Sequence, residues 1–202
     1  MNRGIIIFLR APELGKVKSR LAATVGDQKA LEIYNALTKI TLEVTLAVRS
    51  DRFLYYHPHI ADIPLTLPTD AFQKSLQHGH ALGTKMKNAF EAVLRRCEAA
   101  IIIGTDCPYL TSQILSKAFD LLQKSDVVIG PAKDGGYYLL GLKHPAPQLF
   151  AGIPWSTEQV FDLTMIKIRE LGLSCAILET LSDIDYEEDW LQYLSIKKMK
   201  ES

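Results

Sequence analysis

The sequence predicts an α/β sandwich built on a mostly parallel sheet, and three observations carry that expectation. Four short apolar runs, of the kind that buried parallel strands require, are each followed by a loop and a segment with helical periodicity. Strand-like and helix-like segments alternate along the chain, as right-handed connections between parallel strands demand. With 202 residues, 48% of them hydrophobic and 23% charged, the chain has the length and composition of one globular domain spanning 1–202.

Taken in order, Gly4 to Leu9 is the first apolar run and the first predicted strand. Asp27 to Val48 follows with an N-cap residue in Asp27 and Ala30, Leu31, Tyr34, Leu37, Thr41 and Leu42 at helical spacing. Phe53 to Tyr56 is a weaker strand, and His57 to Pro68, with three prolines, reads as a surface connection. A helix is predicted over Leu82 to Cys97, with Met86, Phe90, Val93 and Leu94 on one face. The run Ala99 to Gly104 is a strand, and Thr111 to Gln123 a second amphipathic helix, with Ile114, Leu115, Ala118 and Leu122 inward. Asp126 to Gly130, the weaker Tyr137 to Leu142 and Cys175 to Leu178 complete a sheet of six strands. Ser156 with Gln159, and Asp185 with Glu188, have capping-box spacing and predict two helix starts. Lys197 to Ser202 is expected to fray.

Several function classes are excluded by composition. The 23 Lys and Arg balance 23 Asp and Glu, which argues against a nucleic-acid polymer as partner. Ile5 to Leu9 and Ala99 to Ile103 are the longest apolar runs, far below the ~18 residues of a membrane span. Met1 to Gly4 leads straight into a strand without a signal-peptide pattern, so a cytoplasmic protein is expected. Cys97, Cys107 and Cys175 form no CxxC pair and read as thiols in a reducing compartment. His57 with His59 and His78 with His80 lack a third ligand at zinc spacing, which leaves them as loop residues.

Ligands of open α/β sheets bind outside the carboxyl ends of the strands, so the residues after each strand are the informative ones. The first strand end carries Arg10, then Gly15, Lys16, Lys18 and Arg20 with only Glu13 as a local acid. In isolation such a basic turn is simply solvated. At a strand end before a helix it suits a polyphosphate, although it matches neither GxxxxGK[ST] nor GxGxxG. Thr105-Asp106 ends a five-residue apolar run, placing a hard oxygen ligand for Mg2+ or Mn2+ at the strand tip, or else a turn or cap residue. Asp134-Gly135-Gly136 is a turn that lets a ligand approach the backbone. Asp183 and Asp185 are further metal-ligand candidates, Asp185 being also the favoured N-cap, and Trp155 is either a core aromatic or the wall of an acceptor site.

These residues carry a resemblance. Phe8 to Pro12 with Gly15, Lys18 to Leu21, Gln77 to Met86, Gly104 to Pro108, Pro131 to Leu142, Trp155 to Thr157 and Asp183 to Asp185 together resemble the rSAM/selenodomain-associated transferase family. The likeness runs from about Phe8 to Asp189. It implies a GT-A-like (nucleotide-diphospho-sugar transferase) three-layer α/β/α sandwich with a mostly parallel mixed sheet, and glycosyl transfer as the activity. Where the family pattern reads Asp-Leu-Gly-x-Arg-Met, this sequence has Ala81 and Lys85 in place of the Asp and the Arg, so a charge is kept at Lys85 but its planar fork is lost. Lys18 to Leu21, the Asp106 loop, Asp134 to Gly136 and the Asp-Ile-Asp ending are also similar to 2-phospholactate guanylyltransferases and, more distantly, to molybdenum cofactor nucleotidyltransferases.

The resemblances imply a nucleotide, an NTP or a nucleotide sugar, bound by Arg10, Gly15, Lys18, Arg20, Gln77, Gly79, Lys85 and Thr105. They imply a small-molecule acceptor at Gly135, Gly136, Tyr137, Trp155 and Ser156, and Mg2+ or Mn2+ on Asp106, Asp183 and Asp185. Lys18, Arg20, Asp106 and Asp134 are the expected catalytic residues. The three cations of the first loop favour nucleotidyl transfer from an NTP to a phosphorylated acceptor, with glycosyl transfer as the alternative and a non-catalytic nucleotide-binding protein as the third possibility. Oligomeric state is left open.

Overall fold

The computed structural model describes residues 2–62 and 68–201. Seven strands, β1 (Arg3–Arg10), β2 (Asp51–His57), β3 (Gln73–Leu76), β4 (Ala99–Ile103), β5 (Val127–Pro131), β6 (Tyr137–Leu142) and β7 (Cys175–Ile177), form one sheet in the order β3-β2-β1-β4-β6-β5-β7. All neighbours are parallel except β6, which runs antiparallel between β4 and β5. The sheet is therefore mixed and mostly parallel. The reversed strand follows from the short turn at Ala132 to Gly136, which leaves no room for a crossover helix between β5 and β6.

Among the described residues, six α-helices cover it: α1 (Ser19–Val25), α2 (Asp27–Leu46), α3 (Leu82–Val93), α4 (Ser112–Leu122), α5 (Val160–Glu170) and α6 (Glu187–Glu201). Ile5, Ile7, Ile101 and Ile103 point to the face covered by α4 and the second half of α2, while Ile6 and Ile102 point to the face covered by α3 and α5. Burial on both faces is why β1 and β4 each contain an unbroken run of three isoleucines. A third cluster, Leu21, Ala30, Ile33, Leu37 and Ile184, joins α1 and the start of α2 to α6, which contributes Trp190 and Tyr193.

The differences from expectation are local. β3 and α1 were not foreseen, and α3 ends at Val93 rather than Cys97. Gly26, not Asp27, caps α2. Ser156 caps nothing: it has φ 66°, and α5 begins after Gln159. Asp185 is no cap either, because the amides of Asp185 and Tyr186 donate to the Asp189 carboxylate. Lys197 to Glu201 continue α6 instead of fraying, and Ser202 lies outside the described residues. Among the described residues, no helix is long and apolar enough to cross a membrane.

Candidate active site

The carboxyl ends of β1 and β4 lie side by side, with Ile7 in register with Ile103, so the Lys18 loop and the Asp106 loop leave the sheet as neighbours. Lys18 adopts φ 49° and ψ 49°, a left-handed conformation that costs a residue with a Cβ about 1 kcal/mol. Its ammonium turns inward, where the side chain is only 6% exposed, and lies 2.7 Å from Asp106 Oδ1 and 3.7 Å from Asp185 Oδ1. It also donates to the Ile184 carbonyl at 2.6 Å, while the Ile184 amide donates to the Asp106 carbonyl at 2.9 Å. Arg20, on the exposed side of α1, donates to Asp185 Oδ2 at 3.0 Å. One cation thus ties the first loop, the β4 tip and the segment before α6 into a single rim.

Asp183 is half-buried beside this pair, and its carboxyl is pushed up to about 7. Burial is the largest cause; the charges of Asp106 and Asp134 add to it, Lys18 opposes it, and Asp185 contributes last. Asp134 reaches the cluster from the β5–β6 turn, where its Oδ1 accepts from the Gly136 amide at 2.9 Å. Four carboxylates therefore face one buried ammonium and one exposed guanidinium. Among the described residues Asp183 makes no ion pair of its own, and only the Lys18 charge opposes the rise.

That deficit fits a hard divalent cation. Asp106 is paired with Lys18, and Asp185 with Lys18 and Arg20, so a cation arriving here would compete with these side chains for both carboxylates. Among the described residues, no three His, Cys, Asp or Glu side chains converge closely enough to hold an ion by themselves. Asp106 and Asp183, with Asp185 beside them, are the carboxylates that could share such an ion with substrate phosphates, a common arrangement for Mg2+.

The acids open into a cleft of 1060 Å3. Of the expected residues, Arg20, Asp106, Asp134, Gly136, Tyr137, Trp155, Ser156, Asp183 and Asp185 line it. Its roof is the 154–159 loop, which is seated at two glycines. A Cβ on Gly135 would strike the Glu158 carbonyl, and a Cβ on Gly83 would strike the Trp155 indole. Ser156 holds its left-handed φ within this loop, so the strained backbone lies at the cleft wall.

Lys18 and Thr105 lie behind the lining, and the other expected nucleotide residues lie on an adjacent rim at the ends of β1 and β2. There Arg10 and Lys85 come near His57, whose pKa is lowered first by burial and then by those two charges. Gln77 is a brace: its side-chain amide donates to the Leu9 and Tyr55 carbonyls. Gly79, at φ 127°, allows Thr84 and the Lys85 amide to pack against it, and Gly15, at φ 70°, sits against the Asp27 carboxylate. Two sets of residues were missed from sequence. The Tyr34 hydroxyl accepts from the Arg10 amide at 2.9 Å and donates to the Arg10 carbonyl at 2.8 Å, fixing the end of β1. Phe8, Leu82, Met86 and Ile102 line the cleft as well, but as apolar residues at helical or strand spacing they carry no signal beyond core formation.

Residues 41–157 match the family DUF2064, described as "Uncharacterized protein conserved in bacteria". The chain belongs to this family. It is 33% identical to a Desulfovibrio desulfuricans G20 protein inferred to be a nucleotide-diphospho-sugar transferase, with a TM-score of 0.85 over 92% of this chain and 84% of the other. CMP:2-keto-3-deoxy-manno-octonic acid synthetase complexed with CTP shares the fold at 10% identity and a TM-score of 0.61, over 99% of this chain and 100% of the other. The manganese complex of Rv0371c from Mycobacterium tuberculosis H37Rv does so at 14% identity and a TM-score of 0.63, over 96% and 99%. Among curated proteins none matches the chain. The fold of this DUF2064 chain is that of nucleotide-diphospho-sugar transferases, and these structural neighbours include nucleotidyl and sugar-nucleotide transferases.

Proposed function

We propose that this chain is a metal-dependent nucleotidyltransferase, which moves a nucleoside monophosphate unit from an NTP to a phosphorylated small molecule. The observation that carries the reading is the rim in which Lys18 bridges Asp106 and the Ile184 carbonyl beside the under-compensated Asp183. Asp106 and Asp183 would hold Mg2+ or Mn2+, which when bound supplies charge neutralisation at the phosphates. An acceptor phosphate oxygen forms the bond to the α-phosphorus while the bond to pyrophosphate breaks, and pyrophosphate leaves with the electron pair. Lys18, Arg20 and Arg10 supply the positive charge that stabilises that leaving group, so catalysis is positioning and electrostatics. The nucleotide is assigned to the rim of Arg10, Gly15, Gln77, Gly79 and Lys85, with Thr105 behind the cleft lining, and the acceptor to Gly135, Gly136, Tyr137, Trp155 and Ser156. The CTP complex and the manganese complex among proteins of this fold support the reading.

A second reading, glycosyl transfer from a nucleotide sugar, is favoured by one feature. Asp134 is exposed in the cleft near Trp155, where it can take the proton of an acceptor hydroxyl, a task that a phosphate acceptor does not require.

A thermal-shift screen of NTPs and nucleotide sugars, each with MgCl2 and MnCl2, separates the two readings. An NTP with metal is expected to raise the melting temperature, and Asp106→Asn to remove the metal-dependent part of the rise. Stabilisation by a nucleotide sugar alone would replace the first reading with the second. No shift with either class would sink both.

A further inference from the structure

The cleft has two chemically distinct ends. One holds Asp106, Asp134, Asp183 and Asp185. The other is walled by Phe8 of β1, Ile102 of β4, Leu82 and Met86 of α3, Tyr137 of β6 and Trp155 of the roof. Its polar atoms face protein. The Tyr137 hydroxyl points to Met86 Sδ at 4.0 Å, and the Trp155 indole nitrogen lies against Gly83. Burial pushes the Tyr137 phenol strongly upward, although the residue as a whole is half-buried. Leu82 is nevertheless 40% exposed at the mouth, and the rings of Tyr137 and Trp155 meet edge to face at 6.5 Å.

A nucleobase or a bare sugar carries hydrogen-bonding groups around its edge and would leave them unpaired among these six side chains. An alkyl or aryl group would not. The acid end lies in the same cavity, so one molecule can occupy both ends.

We infer that this chamber is the body-binding subsite for the acceptor, and that the acceptor is an amphiphile: an apolar alkyl or aryl body in the chamber with its reacting phosphate or hydroxyl at the acid end. The inference rests on the transferase reading for the word acceptor, but the chamber's ligand class follows from its lining alone. Phe8, Leu82, Met86 and Ile102 become specificity-determining residues. Transfer of hydrocarbon from water gives about fourfold in affinity for each buried methylene, so the preference should be steep with chain length.

The test uses Trp190→Phe protein, in which Trp155 is the remaining tryptophan and reports on the chamber by fluorescence. Titration with n-alkyl phosphates and with n-alkanols of increasing length, in the presence of MgCl2, is expected to show affinity rising about three- to fourfold per methylene until the chamber fills. The two series distinguish a phosphate head from a hydroxyl head. Leu82→Asp should flatten the dependence. This variant keeps its fold because the side chain is at the cleft mouth and an acid in a helix's first turn is favourable. Affinity independent of chain length in both series, or a dependence untouched by Leu82→Asp, would overturn the inference, and so would quenching of Trp155 by nucleotides with no response to alkyl length. NTP binding is followed in parallel by thermal shift. A chain-length series without an NTP shift upholds the chamber and removes the nucleotidyl reading; an NTP shift without a series does the reverse.

Discussion

Asp183 and Lys18 show the same conflict from opposite sides. Lys18 accepts a left-handed backbone and near-complete burial because Asp106 and the Ile184 carbonyl compensate its charge. Asp183, two residues from Asp185, receives too little of that compensation, and its carboxyl rises from the ordinary 3.8 to about 7. The sign of the pH effect follows. Between those two values the folded chain binds more protons than the unfolded chain, so this group lowers stability as pH rises through that window and leaves it constant above. In chelator-treated protein, Asp183→Asn is therefore expected to be more stable than wild type at about pH 8, by about 2 to 4 kcal/mol, and to match it near pH 4. Urea denaturation of both proteins across that range measures the difference. A variant less stable than wild type at the upper end would mean that the carboxylate is compensated by a partner the geometry does not show.

At the scale of elements, the cleft depends on how the 154–159 loop is seated. Gly135 has φ 87°, its carbonyl accepts from the Phe161 amide at 2.9 Å, and its missing Cβ leaves room for the Glu158 backbone. Gly135→Ala adds left-handed strain to a clash with main chain, which no side-chain rotation relieves. It is expected to cost about 2 kcal/mol or more and to expose Trp155. A red-shifted Trp155 emission in Trp190→Phe protein, together with a lower melting temperature, would register the loosened roof; an unchanged spectrum would show that Glu158 moves aside freely.

The legibility of the elements follows from the same physics. β1 and β4 were readable because burial on both faces demands Ile5 to Ile7 and Ile101 to Ile103. β3 was not, since an edge strand of Gln73-Lys74-Ser75-Leu76 needs no apolar pattern when half of its groups face water. α1 is only seven residues long and starts from Lys18 without a capping side chain, so neither periodicity nor a cap announced it. Ser156 announced a helix that it does not start, because its backbone serves the roof of the cleft.

Across the whole molecule, zero net charge conceals a segregation that the fold turns into a site. Residues 1–26 hold five cations against one acid, and residues 183–189 hold five acids and no cation. The tertiary structure brings the two stretches together through Lys18 and Arg20 on Asp185. The charges were legible in sequence, as were Asp106 and Asp134 at strand ends. Their pairing was not, because Lys18 and Asp185 are separated by nearly the whole chain and only packing decides which acid a cation meets. That packing is the small cluster of Leu21, Ile33, Leu37 and Ile184 with Trp190 and Tyr193 of α6, where the Trp190 and Tyr193 rings lie 5.6 Å apart. Trp190 lines no part of the cleft, yet it anchors the helix that follows Asp183 to Asp185. Trp190→Ala is thus expected to destabilise the chain by about 2 to 3 kcal/mol, because the residue is partly rather than fully buried. It is also expected to weaken metal-dependent NTP binding at temperatures where the variant stays folded, while Trp190→Phe does neither. Denaturation curves and thermal shifts on the same samples separate the two effects. Full NTP affinity in a folded but destabilised Trp190→Ala would show that α1 and the 183–185 segment hold their register without α6.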